Sequence, residues 1–342
     1  MLQKISVIYT GGTIGMIKNP DTGALEPFPF DNMYEYIPML REIEAIVHFT
    51  ELLPLIDSSD TDPQFWINLV KLIREQYEQY DGFVILHGTD TMSYTASALS
   101  FLLENLSKPV ILTGSQLPLG VLRTDGRENI LNSIEIAATH RNGIPLIKEV
   151  CIFFENSLFR GNRTYKNSAE DFDAFISANY PKLAEVGLHV KFNESALLPP
   201  NNKNLIAHQK IDPNVAILKI FPGMSPQIIS SIINAPNLKA LIIETYGSGN
   251  APSDPQFLNL LNDAIQKGII ILNVTQCKGG GSVEMSKYNA GLQLQQIGVL
   301  GGKDLTTEAA VTKLMFLLGL DLNREELKRL ITTPLCGEMT EF

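Results

Sequence analysis

The sequence predicts an α/β protein of two domains: a larger N-terminal domain on a mostly parallel sheet sandwiched by helices, and a smaller C-terminal α/β domain. Three observations predict it. Short apolar runs alternate with amphipathic segments of helical length, the pattern of a parallel sheet covered on both faces. The 342 residues exceed one typical domain. The stretch from Lys191 to Pro213 holds several Asn and Pro residues and no period, so it reads as a linker. The expected division is 1–190, a linker at 191–212, and 213–342.

Ile5-Ser6-Val7-Ile8 reads as a buried first strand that stops at Tyr9-Thr10-Gly11-Gly12-Thr13-Ile14-Gly15. Adjacent glycines permit positive φ and close approach of another backbone or a ligand. Ligands bind at the ends of parallel strands in open α/β sheets, which puts Thr10 and Thr13 at the rim of a pocket. Lys18 to Phe30 is rich in Pro, Gly and charge and reads as a loop, a candidate lid. A short helix is expected over 32–41 and a strand over 45–54, leading to Asp57-Ser58-Ser59-Asp60. Thr61-Asp62-Pro63 then starts a helix with Phe65, Leu69, Leu72 and Ile73 at helical spacing, ending near Gln79.

A second buried strand, Gly82 to Leu86, runs into His87-Gly88-Thr89-Asp90-Thr91. A helix over 94–106, a strand and turn over 109–114, a helix over 124–140 and a strand over 150–154 follow. The polar stretch from Asn156 to Phe172, with Arg160, Arg163 and Lys166, reads as turns between short strands. Beyond the linker, strands are expected at 215–220, 239–245 and 269–274, and helices at 225–234, 254–267, 304–318 and 323–331.

Composition bounds the function. A net charge of -10 argues against a nucleic-acid footprint, which needs clustered Lys and Arg. Cys151, Cys277 and Cys336 are odd in number and far apart, so neither a disulfide framework nor a structural zinc site is expected. The start of the chain lacks the apolar region of a signal peptide, and no apolar run reaches the length of a membrane span. The expectation is a soluble cytoplasmic protein with no metal or cofactor. The P-loop pattern, a Gly-x-Gly-x-x-Gly after the first strand, His-Glu-x-x-His and the Gly-x-Ser-x-Gly elbow are all absent.

Two threonines each follow a strand and a glycine: Thr13 and Thr89, the second with Asp90 beside it. A threonine hydroxyl becomes a nucleophile once a neighbouring base takes its proton, and a partly desolvated lysine such as Lys166 can be that base. On the residues alone the plainer readings weigh more: a Gly-Gly-Thr turn after a strand is usually only a turn. Thr89 or Asp90 reads as a helix N-cap, Lys166 as a solvated loop charge, and His87 as a packed strand-end histidine. Asp57 to Asp60 reads as the cap of the next helix, and Gly279 to Ser282 as a turn or an anion nest.

Taken together, the segments resemble the bacterial type I, cytoplasmic L-asparaginases. The residues that carry the resemblance are Ile8 to Gly15, Gly82 to Met92, Asp57 to Asp60, Thr113-Gly114-Ser115-Gln116, Arg160 to Thr164, and Tyr246 to Pro252. It covers nearly the whole chain. It implies that Thr13 attacks the side-chain amide of asparagine, ammonia leaves, and water releases aspartate from an acyl-enzyme. It implies that Thr89, Asp90 and Lys166 activate Thr89 or the water. Asp57, Ser58, Ser59, Thr89 and Asp90 would hold the substrate's α-amino and α-carboxylate groups. It also implies a homodimer or homotetramer in which Asn250 of a neighbouring subunit reaches the substrate.

The sequence departs from that family twice. Many members carry a lid tyrosine beside the nucleophile; the lid here, Gly23 to Phe28, has none, which leaves Tyr288 to supply a phenol or Thr13 to be activated otherwise. Some members bind asparagine as an effector. The corresponding strand residues are Thr275, Gln276 and Cys277, and the arginine expected just before Tyr246-Gly247 is Glu244. A carboxylate cannot pair with the effector's carboxylate, so weak or absent activation is expected. The rival readings are a glutaminase-asparaginase, an amidotransferase subunit for tRNA-bound substrates, expected to carry an extra N-terminal domain and a basic surface, and a non-catalytic amino-acid-binding relative.

Overall fold

The computed structural model describes residues 2–18, 23, 25–27 and 33–341. The chain divides into two compact units, Met1–Gln209 and Lys210–Phe342.

An eight-stranded sheet carries the first unit. Its spatial order is Val190–Phe192, Ala184–Val186, Ser157–Arg160, Val150–Phe154, Val110–Thr113, Gly82–Leu86, Gln3–Tyr9, Ala45–Glu51. The five strands from Val150–Phe154 to Ala45–Glu51 run parallel; the other three continue antiparallel. Side chains of a strand alternate between faces. Ile5, Val7 and Tyr9 join Val84, Ile111 and Phe153 in one core, with Ile130, Ile134 and Ala137 of the Gly126–Ala138 helix. Ser6, on the other face, donates to Gln76 at 2.7 Å, at the end of the Pro63–Gln76 helix. That helix starts as expected, with Asp62 accepting from the Phe65 N–H and Pro63 in the first turn.

Register decides where the site lies. Tyr9 pairs with Glu51 on one side and Leu86 on the other, and Leu86 pairs with Thr113. The carboxyl ends of four neighbouring strands are therefore level, and the turns that leave them stand side by side.

The stretch read as a lid begins in a small hairpin: Met16–Lys18 pairs antiparallel with Leu25–Pro27. Residues 19–22, 24 and 28–30 of that lid, and Asn32 of the expected short helix, lie outside the described residues. The remainder of that helix is Met33–Tyr36 followed by a 3-10 turn, Pro38–Arg41. Across the start of the stretch read as a linker, Val190–Phe192 forms the outermost strand, and within it Ile206–Ala207 pairs with Leu103–Glu104. Runs of two or three residues are too short to show a period.

In the second unit the strands Val215–Lys219, Ala240–Thr245, Ile270–Thr275 and Leu300–Gly301 form a parallel sheet in that order. Ser225, Asp254 and Thr306 cap three of its helices by accepting backbone N–H groups. A further helix, Asn289–Gln296, lies where none was expected. Lys313 and Glu338, both fully buried, form a 2.6 Å ion pair, and Lys313 also donates to the Thr333 carbonyl at 2.7 Å. The Glu338 carboxylate accepts the backbone N–H groups of Leu335 and Cys336. No helix among the described residues is long and apolar enough to cross a membrane.

Candidate active site

Four turns converge at the level strand ends, and glycines set how closely. After Gln3–Tyr9 the backbone takes φ 115° at Gly11 and 84° at Gly12, values that L side chains rarely adopt. A Cβ on Gly11 would lie 2.1 Å from the Ile56 carbonyl oxygen, and one on Gly12 would lie 2.6 Å from the Gly88 Cα and N. A Cβ on Gly88 would in turn lie 2.5 Å from the Ser58 Oγ. The turns carrying Thr13 and Thr89 thus touch main chain to main chain, and the Ser58 side chain fills the space on the other side of Gly88.

Thr13 begins a short 3-10 turn, half-buried, with Gly12 as its N-cap. Among the described residues no hydrogen bond engages its hydroxyl. Thr10, by contrast, is buried and donates to the Leu86 carbonyl at 3.0 Å, tying the first turn to the Gly82–Leu86 strand. Tyr9 lies under the same turn, its hydroxyl 3.4 Å from the Gly12 carbonyl. Burial, and then the charge of Glu51, pushes its pKa up to about 12, so this phenol stays protonated and is no base.

The Lys166 ammonium lies 2.8 Å from the Thr89 Oγ1 and 2.7 Å from the Asp90 Oδ1. Elements distant in sequence bring it there. Lys166 ends the Tyr165–Lys166 strand, which pairs with Phe175–Ile176. The preceding turn, Gly161–Arg163, packs so tightly that a Cβ on Gly161 would lie 2.9 Å from Ala96 on the helix after Thr89. Arg160, just before it, is buried and held by Glu149 at 2.6 Å and by the Ala196 carbonyl at 2.8 Å.

Asp57 is exposed and accepts from the Ser59 N–H at 2.8 Å and the Ser59 hydroxyl at 2.7 Å. Those two bonds, the backbone one first, hold its pKa below the usual carboxylate range. Asp57 therefore presents a full negative charge at neutral pH, with the Ser59 oxygen beside it. Ser58 is buried against Gly88, and its carbonyl accepts from the Thr91 hydroxyl at 2.7 Å.

The first unit thus brings together Thr89, Asp90 and Lys166 by direct contact, and Ser58 and Thr13 through the glycine crossing. Asn250 and Tyr288 lie in the second unit. The backbone of Asn250 closes a turn with Tyr246 through two 2.9 Å bonds, and Tyr288 is exposed. Glu244 is buried there, its carboxylate accepting from the Thr307 hydroxyl at 2.6 Å with Lys219 at 3.7 Å. Gln276 donates to the carbonyls of Ile220 and Glu244, and Thr275 to that of Gly247.

A further contributor, Gln116, has no role that the sequence assigns. It presents its side-chain oxygen to the Thr89 hydroxyl at 3.5 Å, the outer limit of a hydrogen bond, and donates to the Asp171 carbonyl at 3.0 Å. The signals for it in the sequence are its place after a strand end and its membership of the Thr113-Gly114-Ser115-Gln116 segment that carries the resemblance. Among the described residues no group of three or more His, Cys, Asp or Glu side chains is placed to hold a metal ion.

Two family descriptions match: "Asparaginase, N-terminal" over residues 4–198 and "Glutaminase/Asparaginase C-terminal domain" over residues 214–331. The chain belongs to the asparaginase family. Relatives agree with the assignment. The asparaginase "L-asparaginase 1" of Escherichia coli K12 is 44% identical over 345 residues, 99% of this chain and 98% of that protein. The mouse "60 kDa lysophospholipase" is 39% identical over 99% of this chain but only 63% of that protein. The crystal structure of L-asparaginase I from Vibrio cholerae superposes with a TM-score of 0.90 at 40% identity, covering both chains fully.

Proposed function

We propose that the protein is an L-asparagine amidohydrolase that works through a threonine acyl-enzyme. The observation that carries the reading is the Lys166 ammonium shared between the Thr89 hydroxyl and the Asp90 carboxylate, beside the turn that carries Thr13.

In this reading Asp57 and Asp90 accept the substrate's α-ammonium, and Ser58, Ser59 and Thr89 complete the grip on its α-amino and α-carboxylate ends. Fixing both ends orients the amide carbon toward Thr13 and removes the entropy cost of finding that geometry. The Thr13 oxygen bonds to the amide carbon as its proton leaves, the C–N bond breaks, and the nitrogen departs as ammonia carrying that proton. Water then adds to the ester, the bond to Thr13 breaks, aspartate leaves, and the Thr13 hydroxyl is restored. As the neutral amine Lys166 accepts the proton relayed through the Thr89 hydroxyl, and as the ammonium it returns that proton, with Asp90 holding the charged form in place.

The wider reading is a cytoplasmic homodimer or homotetramer in which Asn250 of a neighbouring subunit touches the substrate and Tyr288 approaches the nucleophile. The exposure of Tyr288 supports a role outside its own unit. Mixing subunits that carry Asn250→Ala with subunits that carry Thr13→Ala tests it: recovery of activity in the mixture supports shared sites. The buried, engaged Glu244 supports weak or absent activation by asparagine.

The deciding experiment traps the ester by rapid acid quench and maps it by mass spectrometry. The adduct is expected on Thr13 and absent from Thr13→Ala; an adduct on another residue overturns the assignment. Ammonia release from asparagine, glutamine and a longer amide fixes the substrate class, and a lysophospholipid arm tests the activity named for the mouse relative.

A further inference from the structure

His87 is buried at the end of the Gly82–Leu86 strand, one residue before the glycine that touches Gly12. Its ring is held on every side. Nδ1 lies 2.6 Å from the Gly88 carbonyl oxygen, and Nε2 lies 3.0 Å from the Thr95 hydroxyl. The Trp66 Nε1–H donates to that same hydroxyl at 3.1 Å, and the Phe65 ring meets the imidazole edge-on at 5.6 Å. Trp66 and Thr95 belong to the two helices that follow the Asp57–Asp60 and His87–Thr91 turns.

These contacts assign the protons. A carbonyl only accepts, so Nδ1 carries the hydrogen and donates to Gly88. The Thr95 oxygen accepts from Trp66 and gives its own proton to Nε2. The line runs from Trp66 through Thr95 and His87 to Gly88, each donor used once. Burial lowers the His87 pKa to about 4, which keeps the ring neutral and this tautomer in place near pH 7.

We infer that His87 is a positioning residue: its Nδ1–H clamps the Gly88 carbonyl and thereby fixes the Gly88–Thr89 peptide, which presents Thr89 to Lys166 and is joined directly to the Gly88 Cα that lies between Gly12 and Ser58. The inference deepens the proposed hydrolase reading and rests on it. Gly88 has no side chain to anchor it, and its Cα is the point where three turns meet. Loss of the clamp frees that peptide, and a misplacement of 1 Å in such a site costs about 100-fold in rate.

The test uses the full chain, with ammonia release as the assay and circular dichroism as the check of folding. Asn places an amide donor where Nδ1 stands, Gln reaches only to the Nε2 position, and Leu supplies neither. His87→Asn is expected to hold kcat within about tenfold of the parent, and His87→Gln and His87→Leu to lose about 100-fold. The pH limbs of kcat/KM should stay where they are in His87→Asn, because the ring exchanges no proton with substrate. Should His87→Leu fail to fold, Thr95→Val decides: it should lower kcat, and Thr95→Ser should restore it. Undiminished kcat in a folded His87→Leu, or in Thr95→Val, overturns the inference, as does a pH limb that disappears with His87. Thr89→Val and Lys166→Met, assayed alongside, test the parent reading separately: if they stay active, the hydrolase assignment fails whatever the His87 series shows.

Discussion

The burial of His87 carries a thermodynamic consequence apart from catalysis. Unfolded, the imidazole titrates at its ordinary 6.5; folded, burial lowers this to about 4. Between those values the unfolded chain binds the proton and the native chain does not, so falling pH draws the equilibrium toward unfolding. The contribution is fully present above pH 6.5, declines as pH falls, and is exhausted near pH 4. The gap corresponds to about 3 kcal/mol, of which about 2 kcal/mol is lost by pH 5. Urea unfolding at a series of pH values measures it, read by the fluorescence of Trp66, the single tryptophan of the chain and a member of the same hydrogen-bonded line. Between pH 7 and pH 5 the parent should lose about 2 kcal/mol more than His87→Asn, which has nothing to protonate there. Parallel stability curves for the two proteins would refute the argument.

Three further outcomes are expected. Glu338→Gln removes the charge that balances the fully buried Lys313 ammonium, a defect worth about 3–5 kcal/mol, and should lower the thermal transition by about 6–20 °C; replacing the pair by Met and Leu should recover most of it. Lys166→Met removes the group that bridges Thr89 and Asp90 and should lower kcat about 100- to 10,000-fold without unfolding the chain; near-parental ammonia release would contradict its assigned role. Because Glu244 is already engaged by Thr307, the rate against asparagine should be hyperbolic, and a sigmoidal curve would reverse that reading.

Much of this architecture is legible in the sequence where apolar runs are long enough to show their period. Gly82–Leu86, Val150–Phe154 and the helix Pro255–Gln266 fall where pattern and caps place them. The hairpin of Met16–Lys18 with Leu25–Pro27 and the outermost strand Val190–Phe192 are too short to announce themselves, and their surroundings are rich in turn formers. The helix Asn289–Gln296 was hidden by its composition, since only Gly291 and Leu294 of its residues are buried. Candidate site residues beside strand ends could be picked out, because the end of a parallel strand is a position that sequence reveals. Contacts made across the fold could not. Lys166 reaches Thr89 over 77 residues, and whether it was a surface charge or a partner depended on the Gly161 turn packing against Ala96. His87 looked like a core histidine, and it is one; its use of Nδ1 depends on Trp66 and Thr95, which no local pattern connects to it.

The meeting of Gly12 with Gly88 has a consequence for altering this enzyme. Thr13 and Thr89 each follow a glycine, and those two glycines abut, so the separation of the two turns' main chains is ruled by main-chain thickness. Attempts to admit a larger amide by widening that gap would have to prise the main chains away from each other. The open side of this cluster of turns is where Asp57 and Ser59 stand exposed.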